Sequence, residues 1–162
     1  MASVHHFCES NTVSETETLD ISNVNFGSID SANLVPASNP IVRGNASYEK
    51  YIRCKFTGTW TTISNMLFWK SAGAYVTGEA IKAAANVAYA TPSETPNADS
   101  DVPITEGAAL AINSAEGAAT IVYGASGVSG YTGYIRLQTR STVSTPTGSG
   151  NTKTLLFQFD ET

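Results

Sequence analysis

Charge is scarce in this sequence. Lys and Arg number 9 and Asp and Glu 14, together 14% of 162 residues, where ordinary globular domains carry about 25%. The balance is acidic, with a formal net charge of -5 and a pI near 4.9. No basic stripe exists to neutralise phosphates, which argues against nucleic-acid binding. Histidine is almost missing: only His5 and His6 occur, both near the N-terminus. A Ser-His-Asp or Cys-His site would therefore have no base in the body of the fold. As a metal site the adjacent pair is weak, because neighbouring side chains of a strand point to opposite faces. No stretch approaches the roughly 18 apolar residues of a membrane span. MASVHHFCES lacks a basic end followed by an apolar run, so it is not read as a Sec-type signal, and the expectation is synthesis in a cytoplasm, with the protein staying there or leaving by assembly or lysis. Only two cysteines are present, Cys8 and Cys54. Without a secretory signal they read as small buried hydrophobes carrying free thiols. GxSxG, HExxH and GxxxxGK[ST] are all missing, so no catalytic, cofactor-binding or metal-ligating residue is assigned.

Ser, Thr, Asn, Gly and Ala fill the place of the missing charge, and 41% of residues are hydrophobic, enough for a core. The densest apolar run is SYEKYIRCKFTGTWTTISNMLFWKSAG, residues 47–73, with both tryptophans. At period two, Tyr48, Lys50, Ile52, Cys54 and Phe56 share one face, and Glu49, Tyr51, Arg53, Lys55 and Thr57 the other. Lys50 is the one misfit on the apolar face. Gly58 predicts a bulge or turn. A strand, a turn at Ser64-Asn65 and a second strand follow, with Trp60, Ile63, Leu67 and Trp69 competing for the core.

Residues 1–18 are polar, and they are expected to form a flexible arm, ordered only when captured by a neighbour. Residues 19–162 read as one domain. LDISNVNF at 19–26 and Pro40 to Arg43 are strand candidates. Ile81 to Tyr89, Leu110 to Ile112, Ala119 to Tyr123 and Tyr134 to Val143 are others. Thr154 to Phe159 is expected to be central, because both its faces carry apolar residues. Tyr-Ile-Arg occurs twice, at 51–53 and 134–136, each time starting an alternating strand. About eight to ten short strands with turn signals between them predict an all-β, antiparallel sandwich, jelly-roll-like in character.

Two loops were weighed for chemistry. Glu94, Asp99, Asp101 and Glu106 form a sparse acidic loop whose carboxylates suit Ca²⁺, but the spacing matches no EF-hand and a solvated loop explains it. Gly124 to Gly133, with four glycines, reads as a flexible loop, and Gly124-Ala-Ser-Gly127 within it resembles no cofactor loop. Tyr75, Tyr89, Tyr123 and Tyr131 lie beside Gly- and Ala-rich turns, where tyrosine serves either interfaces or strand-end packing.

The composition, the Gly-rich β pattern and the segments Asn25-Phe26-Gly27, Asn65 to Gly73 and Phe157-Gln-Phe159 resemble small all-β virion structural proteins of tailed bacteriophages. That resemblance implies a non-enzymatic virion component: a capsid decoration or cement protein of the phage head, with neck and tail positions also open. The implied partners are the major capsid protein or neighbouring subunits, in a homo-oligomer, with no cofactor, nucleic acid or membrane. Expected assembly contacts are Val4, Phe7 and Val13 on the arm and Tyr75 and Tyr131 on the loops. The alternative is a carbohydrate- or receptor-binding module of a tail or surface structure.

Overall fold

A computed structural model describes residues 3–148 and 150–162. Ten strands form: β1 (Ser3–Asn11), β2 (Thr16–Leu19), β3 (Lys50–Gly58), β4 (Thr62–Ala72), β5 (Ala80–Val87), β6 (Ser100–Asp101), β7 (Leu110–Ala111), β8 (Ile121–Val122), β9 (Tyr134–Arg140) and β10 (Thr154–Glu161). One 3₁₀ turn, Glu106–Ala108, is the only helical element among the described residues. The fold is the expected all-β sandwich. One sheet has six strands in the order β2-β1-β3-β9-β5-β6. The other is β10-β4-β7, with β8 also on β4, and every pairing is antiparallel.

The alternation in β3 decides the layering. Ile52, Cys54 and Phe56 face the second sheet, joining Trp60, Ile63, Met66, Phe68, Ile81, Ile135 and Leu137 in one buried cluster. Phe157 packs against that cluster while partly exposed. Gly58 takes φ +86°, ending β3 as expected. No turn splits the next run. β4 continues through Ser64-Asn65, and Asn65 absorbs the irregularity with φ +49° and a side-chain bond to Asp160. Asn is among the few residues that adopt this conformation at little cost.

Residues 19–43 contain no strand beyond Leu19, which corrects the two strand expectations there. Ile21, Val24 and Phe26 still pack against the core, but the backbone bonds are local turns, such as Ser38 N–H to the Val35 carbonyl and Asn39 N–H to the Pro36 carbonyl. Pro36 and Pro40 remove the donors a ladder would need.

The expected flexible arm is also corrected. Of residues 1–18, the first two lie outside the described residues. Residues 3–11 form β1, paired with β3 from Ser3↔Gly58 to Ser10↔Tyr51. Polarity is no bar to order here, because the arm's polar groups find partners on both faces of the sheet. On the inner face Glu9 meets Lys50, and both are fully buried. On the outer face Ser10 Oγ and Tyr134 Oη are 2.6 Å apart, and Glu17 accepts from Arg53. Lys50, the misfit of the apolar pattern, is thus the inner-face anchor of the first strand.

The β1–β3 register also settles the thiols. Phe7 lies opposite Cys54 and Cys8 opposite Arg53, so the two sulfurs project from opposite faces, where no disulfide can form without moving backbone. Both cysteines are free and buried. Burial pushes the Cys54 thiol up to about 12; burial and then the Glu17 carboxylate push Cys8 up to about 11. Since the thiolate is the nucleophile, an alkylating reagent at pH 8 is expected to label neither cysteine in the folded protein and both after denaturation without reductant. Zero reactive thiols in the denatured sample would refute this.

Candidate functional site

The repeated tripeptide marks the centre of the outer face. β3 and β9 pair so that Tyr51 faces Arg136 and Ile52 faces Ile135. The two Tyr-Ile-Arg copies therefore run antiparallel against each other. Both isoleucines point into the core, and tyrosines and arginines stand outward. Arg53 lies 4.5 Å from the centre of the Tyr134 ring and 4.1 Å from that of Tyr131. Tyr51 and Tyr134 meet edge to face at 6.0 Å, and Tyr89 closes the group at 5.0 Å from Tyr51.

Each arginine has its own carboxylate. Arg53 donates from Nε and Nη2 to Glu17, and Arg136 from Nε and Nη2 to Asp99. The surrounding loops are tied down by the same face. Tyr89 Oη donates to the Thr12 carbonyl, Tyr134 Oη to Glu15 and Tyr131 Oη to Glu17. Buried Gln138 donates to the carbonyls of Ser47 and Thr95 and accepts from the Asn97 N–H.

This platform binds the protein to itself. Its carboxylates are spent on arginines and tyrosines, and the hydroxyls of Tyr89, Tyr131 and Tyr134 on carbonyls and carboxylates, while the Tyr51 hydroxyl is buried without a partner. Burial pushes the Tyr89 hydroxyl up to about 12 and also raises Tyr134, so neither ionises near neutral pH and neither serves as a base there. Tyr131, expected as an assembly contact, is absorbed here under Arg53 and Lys55. Its chain neighbours continue the sheet: Phe56 N–H donates to the Gly130 carbonyl and Thr132 N–H to the Cys54 carbonyl. Gly130, at φ +77°, has room for no side chain, since a Cβ would sit 2.9 Å from the Phe56 carbonyl oxygen. The end of the Gly-rich loop is therefore ordered backbone. Tyr75 is likewise turned inward, packed on the core with Lys70 and Lys153 over its ring.

Three of the four carboxylates of the acidic loop are spent as well, while Glu94 is exposed. Asp99 holds Arg136, Asp101 holds Lys82, and Glu106 accepts from Gln158. Among the described residues no group of three His, Cys, Asp or Glu side chains is placed to hold a metal ion. His6 bonds Asp20 and Thr57 while His5 stacks on Phe159, so the two rings point to opposite faces. No helix of the described residues is long and apolar enough to cross a membrane.

What remains open is one side of the sandwich. Among the described residues β10 pairs only with β4, which corrects its expected central position. Its outer face carries one apolar residue, Leu156, which lies beside Trp69, and no second strand flanks it. The orientation of the ladder follows from β4. Lys70 N–H donates to the Pro103 carbonyl, and the Met66 carbonyl accepts from Ile112, so these residues bond away from β10. Their alternates Trp69 and Leu67, which face Leu156 and Gln158, bond toward it. Leu155 and Phe157 therefore direct their N–H and C=O groups to the free edge. β1 stands next to this edge, with Phe7 on Phe157, His5 on Phe159 and Ser3 bonded to Glu161. β2 pairs with residues 8–11 of β1 only. Val4 is 53% exposed and Phe7 38%. Val13, 81% exposed, tops the β1–β2 turn. On the opposite side, β6, β7 and β8 are two residues each, too short to template another strand.

Compared with known proteins, the chain matches no family model, no curated protein and no solved structure.

Proposed function

We propose that this protein is a non-enzymatic structural component of a virion, a decoration or cement protein of a phage head. It would be made in the host cytoplasm and held in the particle by sheet-edge contacts to the major capsid protein or to neighbouring copies. The open β10 edge carries this reading. A strand of eight residues with one edge unpaired among the described residues, beside a half-exposed aromatic rim, offers main-chain hydrogen bonds to any extended segment of a neighbour. Of the expected contacts, Phe7 belongs to this rim, Val4 stands on the opposite face of β1, and Val13 stands clear of both on its turn. Seven of the fourteen carboxylates and five of the nine Lys and Arg side chains are ion-paired within the fold, and the two carboxylates of β10 itself, Asp160 and Glu161, accept from Asn65 and Ser3.

A carbohydrate- or receptor-binding module is the second reading. Tyr123, 51% exposed and stacked edge to face on Trp60, favours it, since such a ring can receive a sugar face. Quantitative mass spectrometry of purified particles separates the two. A head cement is expected in fixed proportion to the capsid protein. Recovery only in the particle-free fraction would overturn the virion reading. Glycan binding lost in Tyr123→Ala would favour the second.

A further inference from the structure

We propose that Lys50 and Asn11 are joined by an amide bond that the folded protein makes for itself, with Glu9 carrying the proton. The β1–β3 register ends at Ser10↔Tyr51, and its next step places Asn11 opposite Lys50. Glu9 and Asn11, two apart on β1, share the inner face with Lys50. All three are withdrawn from water: Glu9 and Lys50 are 0% exposed and Asn11 5%. One carboxylate oxygen gathers both reactants. Glu9 Oε1 accepts from Lys50 Nζ at 2.8 Å and from Asn11 Nδ2 at 3.0 Å. The amine is further held by the Ser31 carbonyl at 2.7 Å, and the amide nitrogen by Asp30 Oδ1 at 2.6 Å.

The hydrogen bonding of the cluster is incomplete. Glu9 Oε2 and Asn11 Oδ1 are buried acceptors without a donor. Buried polar groups of native proteins are nearly always satisfied. Passing one proton from Nζ to Glu9 along their 2.8 Å hydrogen bond starts the reaction. It also supplies the O–H donor that the cluster lacks, and it leaves Lys50 as a free amine, the nucleophilic form.

The step balances without any other reagent. The Nζ lone pair attacks Asn11 Cγ, forming the new C–N bond. A proton of the attacking nitrogen passes through Glu9 to Nδ2, and the old C–N bond breaks. Ammonia leaves, and the proton first taken from Lys50 stays on Glu9, beside the new amide. Asp30 already holds the departing nitrogen. A surface depression of about 260 Å³, lined by Asn11, Asp30, Ser31 and Thr16, gives ammonia a way out. The bond would fix β1 to β3 at the point where the first strand turns away.

Mass spectrometry of the denatured, full-length protein tests this. The expected mass is that of the sequence less one ammonia, about 17 Da. Trypsin should yield residues 1–43 joined to residues 44–53 as one branched peptide, with no cleavage after Lys50. Glu9→Gln should restore the full mass and release a linear 44–50 peptide. An unshifted wild-type mass overturns the proposal. So does a loss of ammonia confined to residues 1–43, which would mean that an asparagine had closed on its own backbone. A Glu9→Gln protein that is still joined overturns the role given to Glu9. The wild-type measurement stands even where the variant does not fold.

Discussion

Deleting residues 3–19 is expected to abolish cooperative unfolding altogether. The deletion removes β1 and β2 from the six-stranded sheet and turns β3 into an unprotected edge. Eight register pairs with β3 disappear, from Ser3↔Gly58 to Ser10↔Tyr51, and with them the cover over Cys54, now fully buried. Lys50 then stays in the interior without Glu9, and breaking a buried ion pair from one side costs about 3–5 kcal/mol. Arg53 loses Glu17, and Tyr134 loses both Ser10 and Glu15. Each buried group left unsatisfied costs about 1–3 kcal/mol more. The sum reaches the whole stability of an ordinary domain, about 5–15 kcal/mol. Thermal melting followed by circular dichroism decides the matter. A truncated chain that still melts sharply, within about 5 °C of the full-length protein, or about 1 kcal/mol, would show that the segment is the loose arm its composition implies.

How far the sequence could be read turns on which residues were doing two things. The alternation of Ile52, Cys54 and Phe56 revealed β3 and its inward face because the polar and apolar sides were cleanly separated. Lys50 broke that pattern, and its meaning lay 41 residues away, at a glutamate that no local period connects to it. The same long-range pairing hid the order of residues 3–11. Glu9, Ser10 and Asn11 are polar, yet every one is buried, because partners on β3, β9 and the Asp30 loop hold them, leaving only Glu9 Oε2 and Asn11 Oδ1 without a donor. The tripeptide Tyr-Ile-Arg is visible twice in the sequence, but its meaning lies in the pairing of the two copies, with Arg53 over the Tyr134 ring and Arg136 opposite Tyr51. β10 misled for the opposite reason. Leu155, Phe157 and Phe159 face the core, while Leu156 lies beside Trp69. Two apolar faces then read as two covering layers, which says nothing of how many strands lie alongside. An open sheet edge is a property of neighbours, and single-strand periodicity carries no record of it.

That open edge gives the second large effect, on incorporation into particles. Leu155→Pro is expected to leave the sandwich folded and to cut incorporation at least tenfold, a change of about 1.4 kcal/mol or more in binding. Leu155 directs its N–H away from β4, so a proline there removes no ladder bond within the protein. It lies at the second residue of β10, where the ladder already shifts register between Thr154 and Leu155, and a proline near the start of an edge strand is tolerated. It does remove a donor from the free edge and places a ring where a neighbour's strand would have to lie. Part of the leucine's packing is lost as well. For a half-buried side chain that is about 1–2 kcal/mol, below the 2–5 kcal/mol of a fully buried one. Leu155→Ala isolates that term, since it loses comparable packing and keeps the N–H. Incorporation of both variants is measured by competition with wild type in particle assembly, alongside their melting temperatures. Edge pairing requires the alanine variant to incorporate and the proline variant to fail. If the two incorporate equally well, the β10 backbone is not the contact, and the exposed side chains of Val4, Phe7 and Tyr123 become the surfaces to test.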